Sequence, residues 1–404
     1  MKGLTTAARD LIRSRVFERF DASLGGAVGA FQVGLLAWGI ALFRDPATLP
    51  IAPLLLAAGA NAALHAALYG RAGITTASGP LAMLARGYAA SGFAVATVGA
   101  TVAFCACVAA TGAWAGLGDA AALRLFRMLS PVAALTGSLA LAWGCTSRLR
   151  PFQVNRLTLP IAGLDPDLAG LRVAHLTDLH IGNGFEGRRL FELVDRVHAL
   201  DPDLIVLTGD LFDRDPSHVE AGAAALGRLM APFGVYAVLG NHDVYTGVDR
   251  VCQSLARFAP GVRLLRDAWQ RIPGPASFYV AGVDDPGHDW TAAGTNLAAI
   301  DKLAASLPND GPSLLLVHRP DAFAQAAGLG FPLVLAGHFH GGQVAFPGSR
   351  GRWNVARILS PFDQGLFCRG QSLLYVSRGL GFAGPRIRLG APPEIALLEL
   401  EPRS

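Results

Sequence analysis

The chain has 404 residues, 52% of them hydrophobic and 16% charged, with a formal net charge of +4. That length points to two or more folded units. The five cysteines have no spacing that suggests a zinc site or a disulfide framework, which agrees with a reducing compartment, and the small basic excess sits largely beside apolar stretches, so it argues for no nucleic-acid partner.

Between Asp21 and Arg148 the only charged residues are Arg44, Asp45, Arg71, Arg86, Asp119, Arg124 and Arg127. They separate long runs of Ala, Leu, Val and Gly. A helix needs ~20 apolar residues to cross ~30 Å of hydrocarbon, and four segments qualify, roughly Ala22 to Phe43, Leu49 to Gly70, Tyr88 to Trp114 and Leu129 to Ser147. Trp38, Trp114 and Trp143 lie toward span ends, where indoles favour the interface. A soluble helical domain would keep a charged outer face, and these segments lack one.

Lys2, Arg9, Arg13, Arg15 and Arg19 precede the first span, Arg71 and Arg86 separate the second from the third, and Arg148, Arg150 and Arg156 follow the fourth. By the positive-inside rule both termini face the cytoplasm, with Arg124 and Arg127 on the opposite side as a counter-signal. The polar lead contains Asp10, Glu18 and Asp21 and three more spans follow, so the first segment reads as a lasting anchor rather than a cleaved signal. The expected organisation is a basic N-terminus over 1–21, a transmembrane region over 22–147, a connector over 148–169 and a folded domain over 170–404.

From about Arg156 the texture changes to short apolar runs alternating with helical stretches. Arg172 to Thr177, Leu204 to Thr208, Val235 to Leu239, Phe278 to Val283, Ser313 to Val317, Leu333 to Ala336, Leu373 to Ser377 and Glu394 to Leu400 read as strands. Arg188 to Leu200 and His218 to Met230 carry helical spacing. Such alternation predicts an α/β domain. Its later part, with fewer helices and more glycine turns, predicts a second mixed or antiparallel sheet packed on the first.

Five polar clusters follow these apolar runs: Asp178-Leu179-His180, Gly209-Asp210-Leu211-Phe212-Asp213, Gly240-Asn241-His242-Asp243, His318, and Gly337-His338-Phe339-His340. Ligand sites of open α/β sheets lie at the carboxyl ends of strands. Cleaving a phosphate ester calls for two divalent cations sharing a bridging carboxylate, each with further N and O donors. Asp178 and His180, as alternate residues of an extended strand end, can point to one side. Asp210 is the natural bridge, Asn241 offers a carbonyl oxygen, and His318, His338 and His340 offer imidazole nitrogens. Asp243 reads as a helper or a helix cap. Arg214 and Arg319 stand beside the clusters and could contact phosphate or serve as solvated surface residues. Asp284 and Asp285 read as a strand-end turn, and His65, His175, His198, His218 and His288 as structural or surface residues.

This order of motifs resembles the calcineurin-like metallophosphoesterase superfamily over roughly Arg172 to Leu400. Carried over, the resemblance implies two packed mixed β-sheets flanked by helices, here following a four-helix transmembrane region. It implies that Asp178, His180, Asp210 and His340 hold one metal and that Asp210, Asn241, His318 and His338 hold the other. His242 would serve the leaving oxygen and Asp213 would orient it. Oxygen and nitrogen donors without thiolate suit manganese, iron or zinc. Gly337-His338-Phe339-His340-Gly341-Gly342-Gln343, Ser377-Arg378-Gly379-Leu380-Gly381 and Pro392-Pro393-Glu394-Ile395 are similar to the membrane-anchored bacterial branch, with Phe339 departing from the small polar residue usual there. Relatives of that branch include enzymes cleaving the pyrophosphate of UDP-diacylglucosamine in lipid A biosynthesis. The expectation is therefore a multi-pass protein of the cell (inner) membrane hydrolysing a phosphodiester or pyrophosphate of a lipid-linked substrate. Arg350 to Phe367, mixing arginines with Trp353, Leu359, Phe362 and Phe367, has the character of an interfacial loop or of an ordinary folded one. A hydrolase for soluble nucleotides or phosphoproteins, and a non-catalytic membrane scaffold, are the alternatives.

Overall fold

The computed structural model describes residues 29, 32–40, 50–69, 98–287, 295–348, 351–354 and 356–403, in two compact units, Met1–Trp143 and Gly144–Ser404. The first unit contains helices α1 (32–40), α2 (Ile51–Tyr69), α3 (Val98–Leu117) and most of α4 (Asp119–Cys145). Among the described residues, α3 and α4 are long and apolar enough to cross a membrane, with mean hydropathy 1.7 and 1.5 and only 22% and 17% of their apolar windows buried. The expected set of four spans is thus met by two. The apolar stretch of α2, Ala52–Leu64, is shorter, and most of the first expected span and of the stretch 70–97 lies outside the described residues.

The last expected span also shifts. Its helix starts at Asp119, ten residues before Leu129, and so takes Arg124 and Arg127 out of the loop assigned to them. Asp119 in the first turn favours a start there, since an acid suits the positive end of the helix dipole. Inside these helices Thr111 and Thr136 donate to the carbonyls of Cys107 and Val132, four residues back, which leaves no bare hydroxyl on an apolar surface.

The second unit is built on two six-stranded mixed sheets. The first runs β1 (Gln153–Ile161), β14 (Glu394–Pro402), β2 (Leu171–Leu176), β3 (Leu204–Thr208), β4 (Val235–Val238), β5 (Val262–Leu264) in spatial order. The second runs β12 (Gly365–Arg369), β13 (Ser372–Val376), β9 (Leu333–Ala336), β8 (Ser313–Leu316), β7 (Tyr279–Gly282), β6 (Ala268–Arg271). In the first sheet the parallel run β2, β3, β4 and β5 extends to one edge, and in the second the parallel strands β13, β9, β8 and β7 occupy the middle. A separate two-stranded ribbon is formed by β10 (Ala345–Gly348) and β11 (Gly351–Asn354). The stretch expected as a connector, 148–169, instead supplies β1, which pairs in parallel with β14.

Side chains alternate across each strand, and the burial follows. Val173, Leu204, Val206, Tyr236 and Val238 of the first sheet pack with Val280, Leu314, Leu316, Leu333, Leu335 and Tyr375 of the second in one core between the sheets. The opposite faces are covered by helices. Ala174, Leu176, Ile205 and Leu207 meet Leu190, Leu193, Val194 and Val197 of α5 (Arg188–His198), with α6 (Val219–Leu226) and α7 (Asn241–Phe258) alongside. Leu315, Val334 and Val376 meet Ile300 and Leu303 of α8 (Leu297–Ser306) and Phe323 of α9 (Phe323–Gly328). Eight expected strands are present within a residue or two of their expected bounds. The two sheets bring the carboxyl ends of β2, β3, β4, β8 and β9 to one edge, where every polar cluster begins.

Candidate metal centre

The clusters start where the strands stop, and the backbone there is unusual. Asp178, His180, Asp210, His338 and His340 all have left-handed backbone, with φ of 51°, 45°, 50°, 79° and 53°. Eight non-glycine residues share that region among those described, so most of them are candidate ligands. Asp178 and His180 therefore do not converge by strand alternation, as expected from the sequence. They meet through left-handed backbone after β2, which carries His180 to Asp210 of the β3 loop and Asp178 to His338 and His340 of the β9 loop. Backbone bonds from Asp178 N–H to Gly209 (3.1 Å) and from His180 N–H to Asp210 (3.0 Å) hold the two loops together.

Asp210 is the hub. Its Oδ1 accepts from the His242 backbone N–H at 2.8 Å, while its Oδ2 lies 3.2 Å from His318 Nε2 and 3.5 Å from His180 Nε2. On one side, Asp178 Oδ1 is 3.3 Å from His340 Nε2, which is 3.0 Å from His180 Nε2. On the other, His338 Nδ1 is 3.2 Å from His318 Nε2. Asp178, His180 and His340 form one group whose donor atoms lie within 4.8 Å of one another, and Asp210, His318 and His338 form another. Asn241, at the start of α7, is buried, and its Oδ1 has no hydrogen-bond partner. A buried acceptor left bare is costly, and a cation would satisfy it. The residues present fit a pair of divalent ions.

Close packing by glycine makes room for the hub. A Cβ on Gly240 would stand 2.2 Å from Asp210 Oδ1, and one on Gly337 would stand 2.2 Å from Asp178 Oδ2. Behind the ligands sits a layer of orienting contacts. His318 Nδ1 faces the Thr208 carbonyl at 2.8 Å, which leaves Nε2 for the centre. The Asp178 carboxylate accepts from the His338 N–H at 3.0 Å. Asp243 is a fully buried carboxylate accepting from the backbone N–H of Gly240, Phe212 and Leu211 at 2.9, 2.9 and 3.2 Å, so it caps α7 and clamps the β3 loop at once.

The carboxylates and two of the histidines are poised for cation binding, whereas His318 holds a proton that a cation would displace. Burial acts to raise Asp178 and Asp210, yet His340 beside the first and His318 and His242 beside the second hold both carboxyls below the usual range. Burial keeps His340 neutral, down to about 4, and with His318 nearby holds His338 well below its ordinary value. Burial also opposes charge on His318, but Asp210 outweighs it and lifts the ring to about 10. His242 Nδ1 is 2.7 Å from Asp213 Oδ1.

Arg388 was not singled out by sequence, where nothing distinguishes it from the neighbouring Arg386. Its guanidinium is 1% exposed, donates to the carbonyls of Gly381 (2.7 and 2.9 Å), Arg378 (2.8 Å) and Ala391 (3.2 Å), and places Nη2 3.0 Å from His340 Nδ1. Arg319 turns out not to be a surface residue. It is buried and paired with buried Asp285, Nε to Oδ2 at 2.6 Å. Arg214 is exposed, 5.4 Å from the Tyr245 ring centroid. His175 is buried between the sheets with Nε2 2.8 Å from Thr208 Oγ1, and the Phe339 ring meets that of His338 edge-on at 4.9 Å. Asp284 accepts from Arg266 Nε at 2.6 Å, and His288 lies outside the described residues.

Residues 171–342 match the family model described as calcineurin-like phosphoesterase. An uncharacterized metallophosphoesterase of Bacillus subtilis is 30% identical over 257 residues, covering 61% of this chain and 90% of that protein. The chain belongs to the calcineurin-like phosphoesterase family. A Danio rerio protein named transmembrane protein with metallophosphoesterase domain is 30% identical over 298 residues, 70% of this chain and 65% of its own. An uncharacterized metallophosphoesterase of Campylobacter jejuni is 31% identical over 255 residues, 63% of this chain and 64% of its own. The match thus spans a little under two thirds of these two relatives. As a calcineurin-like phosphoesterase, the chain carries the matched segment wholly within its second unit, ending at the turn after His340.

Proposed function

We propose that this protein is a membrane-anchored, dinuclear metal-dependent phosphoesterase. The observation that carries the reading is the shared Asp210 Oδ2, flanked by His180 and His318, together with the unpartnered Asn241 Oδ1. Asp178, His180, His340 and Asp210 would hold one cation, and Asp210, Asn241, His318 and His338 the other. The donor set suits manganese, iron or zinc. Bound there, two cations neutralise phosphoryl oxygens and lower the pKa of water.

The remaining chemistry belongs to the chain. His242 is held by Asp213 at 2.7 Å, and its side chain keeps 16% exposure, so it can reach a substrate without swinging freely. In this reading it delivers a proton to the leaving oxygen while Asp213 fixes its ring. The substrate we propose is a phosphodiester or pyrophosphate on a lipid, such as UDP-diacylglucosamine. Support comes from the apolar helices α3 and α4 and from relatives named transmembrane proteins. The basic flanks of the apolar segments favour a cytoplasmic site.

The test is hydrolysis by the full chain in detergent with manganese, comparing UDP-diacylglucosamine with a chromogenic phosphodiester and using Asp210→Asn as the control. Preference for the lipid nucleotide, lost in the variant, supports both parts of the reading. Turnover of the generic ester alone retains the chemistry and removes the lipid, and metal-independent or absent turnover of both overturns the proposal.

A further inference from the structure

The rim of the centre carries a tyrosine and an arginine that the chemistry described so far does not use. Tyr245 lies one turn beyond Asn241 on α7 and is 36% exposed. Its ring meets that of His242 with 5.3 Å between centroids, and its hydroxyl is turned toward the Asn241 side chain. The exposed Arg214 guanidinium stands over the same tyrosine ring at 5.4 Å.

The backbone holds both residues on the side of the expected proton donor. Arg214 directly follows Asp213, whose Oδ1 is 2.7 Å from His242 Nδ1. Thr246 Oγ1 lies 2.7 Å from the Asp213 carbonyl and 2.8 Å from that of His242, so the loop after β3 and the first turn of α7 are pinned together. Gly247, with φ of 114°, interrupts α7 directly after that turn. His242, Tyr245 and Arg214 thus form a row of contacts that starts beside the candidate ligands and ends at exposed residues.

A leaving oxygen served by His242 places the rest of the leaving group along this row, and charge decides what the row can recognise. An alcohol leaves with charge on one oxygen, and a proton cancels it. A phosphate leaves with further oxygens that stay charged after the proton has arrived. A guanidinium presents N–H donors in a planar fork that matches such oxygens in pairs, and an aromatic face beneath it keeps the fork in place. Arg319 cannot share the task, because it is buried and tied to Asp285.

We infer that Arg214 and Tyr245 form a leaving-group subsite, which selects esters whose leaving group carries negative charge of its own, as the second phosphate of a pyrophosphate does. Resting on the phosphoesterase reading above, with His242 on the leaving side, this subsite favours a pyrophosphate over a simple diester. In that hydrolysis the oxygen of water bonds to the attacked phosphorus, and the bond from this phosphorus to the bridging oxygen breaks with its electron pair on oxygen. Two phosphate monoesters result, and the protons of water are shared between them. Arg214 holds the departing one.

The test compares kcat/KM of the full chain in detergent with manganese on two aryl substrates, symmetrical di(para-nitrophenyl) pyrophosphate and bis(para-nitrophenyl) phosphate. The parent chain is expected to prefer the pyrophosphate. Arg214→Gln lowers kcat/KM for the pyrophosphate about 10–100-fold, the range of a lost hydrogen bond to a charged group, and lowers it less for the diester. Arg214→Lys recovers part of the loss, and added potassium chloride slows the pyrophosphate reaction of the parent more than that of Arg214→Gln. Tyr245→Leu weakens the preference, whereas Tyr245→Phe, which keeps the ring, retains it. Equal losses on the two substrates in Arg214→Gln, an unchanged preference, or a loss that tracks a fall in bound manganese by elemental analysis overturns the subsite. A parent chain that hydrolyses the diester but not the pyrophosphate also overturns it and leaves the phosphoesterase reading standing. A parent chain that hydrolyses neither overturns both.

Discussion

Replacing Arg388 by Met tests whether the metal centre depends on a residue that touches no expected cation. Met keeps most of the apolar stem and removes the charge and all donors. Two buried carbonyls, those of Gly381 and Ala391, and the part-buried one of Arg378 lose their partner. At about 1–3 kcal/mol for each unsatisfied buried acceptor, the two buried carbonyls give roughly 2–6 kcal/mol, and water entering the gap brings it toward the lower end. His340 loses the group 3.0 Å from its Nδ1, so its ring is free to tilt. Loss of such an outer partner typically weakens metal affinity about 10–100-fold. The assay is competition for manganese or zinc against a chromophoric chelator, run with a thermal melt in the same detergent and with Arg386→Met as the exposed control. Lower stability with unchanged metal affinity would refute the claim that Arg388 positions His340. Unchanged behaviour in both assays would refute the count of buried carbonyls as well.

Other expectations follow from the same geometry. Asp210→Asn removes the shared carboxylate, so bound metal measured by elemental analysis falls at both positions and turnover drops below detection. Gly240→Ala drives a Cβ to 2.2 Å from Asp210 Oδ1 and 2.3 Å from Asp210 N, and costs about 1–3 kcal/mol or more in a urea melt together with metal binding, whereas an unchanged melt would mean the loops yield freely. Asp213→Asn lowers kcat by about 10²-fold at saturating metal, most for esters with basic leaving groups, and also weakens metal affinity because Asp213 Oδ1 lies 3.5 Å from His180 Nδ1; an equal loss for all esters would argue against a proton-transfer role for His242. Chelation followed by a melt lowers the transition temperature relative to the metal-loaded chain, because a ligand bound by the native state alone stabilises it.

Much of the second unit was legible because its strands are buried on both faces. Leu204 to Thr208 and Leu333 to Ala336 are unbroken apolar runs ending in a polar cluster, and both are strands in place. β1 was missed because it is an edge strand. Gln153, Asn155 and Arg156 face partly outward, so the run lacks the apolar signature, and its partner β14 is more than 200 residues away. The ligand residues could be named, but the way they meet could not. Spacing suggested alternation along a strand at Asp178 and His180, while the chain uses left-handed turns that no side-chain pattern encodes. Arg319 looked available for phosphate because its partner Asp285 arrives from another strand end, a pairing invisible along the chain. The spans were harder to bound, since Ala-rich sequence continues helix through Arg124 and Arg127 without marking where lipid would end.

The left-handed turns have a consequence for how the protein ages under mutation. Each non-glycine residue held in that region costs about 1–2 kcal/mol relative to ordinary backbone, and five of them converge on one edge of the sheets. Glycine at these positions would relieve that cost but would also remove buried side chains that fill the space between the loops and accept from the His338 and His242 N–H groups, so backbone tension and packing oppose each other at the centre. A thermal melt without metal of His180→Gly set beside His180→Ala, which empties the same space, should favour the glycine variant and would measure the backbone part of that balance.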